Sequence, residues 1–319
     1  MTYTASDPRS RLAAVSNQPV AAAPPAAYGT TSYAKFYETV PQFVDDRSAT
    51  WLVRGQNFVL AYSQVEPGAI LAREAPADGD KGPGEDNGTA EYALLVPDAD
   101  TTAELITDTE TAPIAGRSLT FVPPGKSVLH VLTGGRVVRV FTAAAAADLA
   151  AASVNADTYR APQPNVAPLE PWPAPADGYR VRSYSLDVAP EPGRFGRIWR
   201  CRTIMVNYTE PRPGPRDVTK MSPHVHADFE QASLCLDGSF VHHIRWPWGT
   251  DMRQWRTDEH EICAGPSVAV IPPGTVHTSQ QVGTGINQLV DIFVPPRADF
   301  SAVDGWVLNA SDYPRKEQS

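Results

Sequence analysis

The sequence predicts an all-β protein built from two similar units in tandem, with a few short helices. Three observations carry this. Short β-branched and aromatic runs, such as residues 57–62 (NFVLAY) and 136–141 (RVVRVF), alternate with turn clusters along most of the chain. The 31 prolines and 22 glycines suit short strands joined by many turns. A ten-residue segment, 116–125 (GRSLTFVPPG), returns in near-copy at 265–274 (GPSVAVIPPG).

Taken in order, residues 1–45 are rich in Ala, Pro, Ser and Thr and read as an extended arm, either disordered or wrapped around a partner subunit. Residues 46–160 form the first strand-rich domain. Its one convincing helix is the alanine-rich stretch 143–152, ideal by propensity. The repeated prolines of 161–178 make a stiff interdomain linker. Strand character resumes over 179–300, the second domain, and 301–319 reads as an irregular tail.

The two halves superpose on three landmarks in the same order. Glu66-Pro-Gly68 matches 210–214, 91–98 (EYALLVPD) matches 230–237 (EQASLCLD), and 116–125 matches 265–274. One such match is weak evidence, but three in sequence argue for a duplicated unit.

Length allows two modest domains, each with its own core. A net charge of −9 supplies no basic excess to neutralise phosphate, which argues against nucleic acid and anionic membranes as partners. Three scattered cysteines, Cys201, Cys235 and Cys263, read as reduced core residues and not as a disulfide frame. The opening residues carry no apolar run of signal-peptide length, so the expected compartment is the cytoplasm.

The second half carries a candidate metal site. Side chains at i and i+2 of a strand share a face, so the imidazoles of His224 and His226 can converge on one ion. Glu230 follows after a bend, and His277 stands just past the Pro-Pro-Gly turn of the repeated segment. Three imidazoles and a carboxylate suit one divalent transition metal with open coordination positions. In the first half no histidine precedes His130, Val128 stands where His277 does, and Glu91 alone matches a ligand. No metal is expected there.

This arrangement resembles the cupin superfamily, whose first motif has the form G-x5-H-x-H-x3,4-E-x6-G and whose second has the form G-x5-P-x-G-x2-H-x3-N. Here His224, His226 and Glu230 fit the first, with seven residues before Gly238, one more than usual, and without the opening glycine. Gly265, Pro272, Gly274 and His277 follow the second, with six residues in place of five between Gly265 and Pro272 and Gln281 in place of the asparagine. The resemblance implies two tandem double-stranded β-helix (jelly-roll) barrels. The first would be degenerate, and the second would hold a metal in its mouth on His224, His226, Glu230 and His277.

Around that site, Asp237-Gly238 reads as a two-residue hairpin turn. Counting outward from it pairs Glu230 with Arg245 and Ala232 with His243. That places His243 and Arg245 inside as catalytic groups and turns His242 away. A β-bulge before Gly238 would exchange the faces. Arg245 would grip a substrate carboxylate. Trp246 and Trp255, in an inserted Trp-rich loop, would either flank a planar substrate or be buried at an interface. Gln281 would lie on the face of His277 and offer hydrogen bonds to substrate.

The expected function is a metal-dependent bicupin enzyme for a small carboxylate-bearing molecule, foremost an Fe2+ dioxygenase of an aromatic or planar substrate. Mn2+, Ni2+, Co2+ and Zn2+ are alternatives. The family also includes sugar-acid isomerases, lyases and aminohydrolases in which the metal acts as a Lewis acid, and non-enzymatic ligand-binding members. Exposed barrel edges and the Pro-rich arm make a homodimer the expected assembly.

Overall fold

A computed structural model describes residues 29–74, 90–163 and 165–316. Residues 1–28 of the predicted arm and Pro164 of the predicted linker lie outside them.

The first half contributes β1 (Ser32–Lys35), β2 (Phe43–Val44), β3 (Ser48–Arg54), β4 (Phe58–Val65), β5 (Ile70–Arg73), β6 (Tyr92–Val96), β7 (Thr102–Thr107), β8 (Thr111–Ile114), β9 (Ser118–Val122), β10 (Ser127–Thr133) and β11 (Gly135–Thr142), followed by α1 (Ala147–Ala152). The second contributes β12 (Arg182–Ser185), β13 (Ile198–Arg200), β14 (Met205–Tyr208), β15 (Arg212–Pro213), β16 (Gln231–Asp237), β17 (Ser239–Arg245), β18 (Glu259–Ala264), β19 (Ser267–Ile271), β20 (Val276–Gln281) and β21 (Ile286–Phe293), followed by α2 (Ala298–Ala302). Every strand pairing is antiparallel. No helix among the described residues is long and apolar enough to cross a membrane.

Each barrel is a large sheet facing a small one. In the first, the sheet β12-β9-β6-β11-β4-β3-β2 faces β5-β10-β7-β8. In the second, β1-β19-β16-β21-β14-β13, with β15 on β21, faces β18-β17-β20. The alternation of the strands sorts their side chains into two layers. Leu60, Leu95, Leu119 and Val138 on one large sheet meet Leu234, Val268, Val290 and Ile292 on the other in a single core between the barrels. The opposite faces fill the barrels themselves, with Leu94, Leu105, Leu129 and Val137 in the first.

Two segments cross between halves. The end of the predicted arm is not loose, because β1 lies against β19 of the second barrel. Just past the linker, β12 lies against β9 of the first. The predicted boundary at 179 therefore places β12 with the wrong barrel, and the arm ending at 45 contains a strand of the second barrel's sheet. The tail is also ordered: Trp306 and Tyr313 are buried, and Tyr313 sits in the interbarrel core. The predicted helix begins only at Ala147, after a turn over 143–146. The three cysteines are buried and unpaired, as the sequence implies.

Candidate metal centre

Two strand-like segments bring the histidines together. His224 and His277 form an isolated antiparallel bridge and exchange both backbone hydrogen bonds, at 3.0 and 2.8 Å. His226, two residues on, lies on the same side, and its carbonyl accepts the Gly274 amide at 2.8 Å. The ring centroids of the three imidazoles are 4.3 to 5.1 Å apart. One potential ligand atom from each falls within 4.8 Å of the others. Nitrogens bound to a common ion at about 2.1 Å lie no more than about 4.2 Å apart, so a small side-chain adjustment completes ligation.

The tautomers favour this. Nδ1 of His224 lies 3.1 Å from the Ser222 carbonyl, and Nδ1 of His277 lies 3.1 Å from that of Thr275. A carbonyl can only accept, so Nδ1 donates in both rings and Nε2 keeps its lone pair for a metal. Phe229 stacks on His226 at 4.6 Å and closes one side of the site.

Glu230 is not the fourth member of this set. Its Oε2 accepts the Gln56 amide at 2.6 Å and its Oε1 accepts the Tyr159 hydroxyl at 2.7 Å, both from the first half of the chain. The cause is strand parity. Glu230 shares a face with Ala232 and Leu234, which belong to the interbarrel core. Burial pushes its carboxyl pKa up.

The side chain that enters the barrel is its neighbour. Gln231 is 4% exposed and lies opposite Phe293 on β21, whose ring is 5.9 Å from that of His226. Its Nε2 donates to Ser233 Oγ at 2.7 Å and to Asp291 Oδ1 at 2.9 Å. Its Oε1 is buried with no hydrogen-bond partner. An unpartnered buried carbonyl oxygen is costly, and a cation relieves it. With Gln231 in the acidic position of the motif, six residues separate it from Gly238, the usual spacing. That regular spacing was the readable signal. The three histidines fit a divalent metal as nitrogen donors, and Gln231, held by Asp291, offers a neutral oxygen on the same inner side of the barrel.

The predicted hairpin at Gly238 does not form. Here φ is +81°, and the chain leaves β16 in the large sheet to begin β17 in the small one, so the two strands never pair. A Cβ at Gly238 would come within 2.8 Å of the Ile286 carbonyl oxygen, so the corner requires glycine. The register of β16 also shifts between Cys235 and Asp237. As a result the faces of β17 are the reverse of the expected ones. His242, Ile244 and Trp246 point inward and are buried.

His243 and Arg245, predicted as catalytic groups, lie on the outer face. Nδ1 of His243 is 2.7 Å from Nδ1 of His260 and its Nε2 is 3.0 Å from Gln280 Oε1. Arg245 is exposed and pairs with Asp258 at 2.7 Å. Trp246, predicted on a loop to flank a planar substrate, is buried against the barrel wall. It packs with Ile244, Ala269 and Ile271 and donates to Glu259 at 3.1 Å. Trp255 stacks on Trp248 at 4.5 Å on the surface.

Inside, β20 presents His277, Ser279 and Gln281 opposite Ile244, His242 and Phe240 of β17. Gln281 does share the face of His277, and its Oε1 is buried without a hydrogen-bond partner. His242, missed by sequence, lies with Nδ1 2.9 Å from Ser279 Oγ, while its Nε2 has no partner. Burial, with His277 and His243 nearby, pulls its pKa down to about 3, so the ring is neutral at ordinary pH. The barrel interior thus offers neutral polar groups and the Asp291 carboxylate around the three histidines, and no arginine from β17.

No family model matches the sequence, and no curated protein matches it significantly. Solved structures do match in fold. The formate complex of Lactobacillus farciminis oxalate decarboxylase is 16% identical, with a TM-score of 0.52 over 86% of this chain and 90% of that one. AerE from Microcystis aeruginosa is 9% identical, with a TM-score of 0.50 over 84% and 99%. A deletion mutant of Bacillus subtilis oxalate decarboxylase is 13% identical, with a TM-score of 0.50 over 90% and 87%. With paired barrels in the same order along nearly its whole length, this chain has the two-barrel fold of the bicupins.

Proposed function

We propose that the second barrel is a metal-dependent enzyme site in which the cation acts as a Lewis acid on a small hydroxylated or carbonyl compound, in the manner of a lyase or isomerase. The observation that carries this reading is the buried Oε1 of Gln231, left without a partner while Asp291 and Ser233 hold its amide nitrogen. Three imidazoles and an amide are neutral ligands, and the nearby Asp291 carboxylate is engaged by Gln231 and Ser233, so a bound divalent ion would keep most of its charge for polarising a substrate oxygen. Mn2+ and Fe2+ both suit such a set, as do Co2+, Ni2+ and Zn2+.

The chain's own groups then orient the substrate. His242 Nε2, one pair along from His277, forms a polar contact to substrate, and Gln281 Oε1, further along β20, accepts from a substrate hydroxyl or amine. Phe229 beside His226 limits water on one side. Arg245 takes no part. The oxalate decarboxylases among the structural neighbours place lyase chemistry on the same fold, which is consistent with this choice.

The Fe2+ dioxygenase reading uses the same histidines and is separated by oxygen. Purified protein should retain one transition metal per chain, lost in His277→Ala. A panel of small hydroxy and keto acids should then be turned over equally in air and under nitrogen. Turnover that stops without oxygen, with oxygen atoms entering the product, would establish the dioxygenase instead. A chain that holds no metal at any concentration would sink both.

A further inference from the structure

The first barrel contains a buried arginine with no carboxylate partner among the described residues. Arg139 lies on β11 opposite Ala61 and Leu94, whose side chains fill that barrel, and it is 7% exposed. Its Nε is enclosed with no hydrogen-bond partner, and no carboxylate among the described residues pairs with it. Burying a guanidinium without a counter-charge is costly. Such a group in a native barrel calls for an anion.

Its surroundings are those of a binding site. Arg139 lies 5.6 Å from the centroid of Phe141, and Arg73 lies 5.6 Å from the same centroid. Tyr92 packs on Phe141 at 4.8 Å, and its hydroxyl is 3.0 Å from Ser127 Oγ. Arg73, opposite Ser127 across β5 and β10, is already held by Asp148. Asp148 is thus engaged by Arg73.

The register places this cluster at the depth of the candidate metal centre. On β6, Ala93 pairs with Val140 and Leu94 with Arg139. On β16, Ala232 pairs with Ile292 and Ser233 with Asp291. Since Glu91 and Glu230 immediately precede these strands, Tyr92 stands where Gln231 does and Arg139 where Asp291 does. One barrel offers acceptors to a cation, and the other offers donors at the same place.

We propose that the first barrel binds a small carboxylate, with Arg139 as a forked donor and the Tyr92 and Ser127 hydroxyls beside it. A planar carboxylate matches the guanidinium fork. The apolar lining of Ala61, Leu94 and Val137 suits a short hydrocarbon body. The proposal is independent of the reaction in the second barrel.

The test is calorimetric titration of the full chain with propionate, benzoate and inorganic phosphate. The expected result is one carboxylate site per chain that survives in His226→Ala, weakens at least tenfold in Arg139→Lys, and takes phosphate more weakly than propionate. Arg139→Lys keeps the charge and removes the fork, so its failure to bind is readable where Arg139→Gln does not fold. Tyr92→Phe, which keeps the ring, should weaken binding several-fold. Absence of carboxylate binding, equal binding by Arg139→Lys, or loss with His226→Ala would each overturn the proposal. A clear preference for phosphate would overturn the choice of ligand. The segment 75–89, outside the described residues, carries Asp78, Asp80, Glu85 and Asp86. Binding that appears only after these four are changed to their amides would show that the chain supplies the anion itself, which also overturns the proposal.

Discussion

Glu230 accepts the Tyr159 hydroxyl at 2.7 Å, and Glu91 accepts the Tyr313 hydroxyl at the same distance. Each glutamate directly precedes the central strand of its large sheet, and each tyrosine comes from the segment that follows one of the barrels. The matching glutamates of the two halves therefore make a repeated interbarrel contact, and the motif spacing that made Glu230 resemble a ligand fits its neighbour Gln231 instead. Glu230→Gln should leave metal content unchanged, as measured by elemental analysis. Tyr159→Phe should lower unfolding stability by about 1–3 kcal/mol, because a buried acceptor loses its donor.

The two glutamates also make stability depend on pH. Burial raises the Glu91 pKa from 4.5 to about 7. The folded state binds this proton more tightly than the unfolded one, so stability falls as pH climbs from about 4.5 through 7. The loss is at most about 3 kcal/mol. Glu91→Gln should flatten that slope: urea midpoints of variant and wild type should agree near pH 5, and the variant should be more stable at pH 8.

Removal of the cation is expected to destabilise the second barrel, since ligation is available only to the folded chain. Chelator treatment should lower the melting temperature of wild type and leave His277→Ala unaffected. Gln231→Leu should weaken metal affinity about 10–100-fold, and Asp291→Asn about tenfold through the lost orientation of the amide. Equal metal affinity in Gln231→Leu and wild type would remove the glutamine from the ligand set.

Arg245→Ala should leave the urea midpoint nearly unchanged, because its pair with Asp258 is exposed. It should also leave turnover untouched. His242→Leu, by contrast, should lower turnover while metal content stays near one per chain.

Much of the fold was legible because strand alternation and turn residues are local signals, and the duplicated Gly-to-Pro-Pro-Gly segment marks equivalent strands, β9 and β19. The His-x-His pair and His277 were legible for the same reason. What sequence could not supply was parity across a corner. At Gly238 the chain changes sheets, and a turn-based count there inverts every side chain of β17, moving Arg245 and His243 in and His242 out. One residue of ambiguity before Gly238 likewise separated Glu230 from Gln231. The crossing of β1 to β19 depends on contacts more than two hundred residues apart in sequence, which no local pattern encodes.

That crossing has a counterpart in β12, which completes the first barrel from the far side of the linker. Each barrel thus ends in a strip of chain lent by the other half. A cut through the linker would not liberate two modules. It would leave each half with a bare sheet edge and a stray strand shaped to fit its former neighbour. The halves should therefore melt together in a single transition, and separately produced fragments should be insoluble alone yet reassemble when made together.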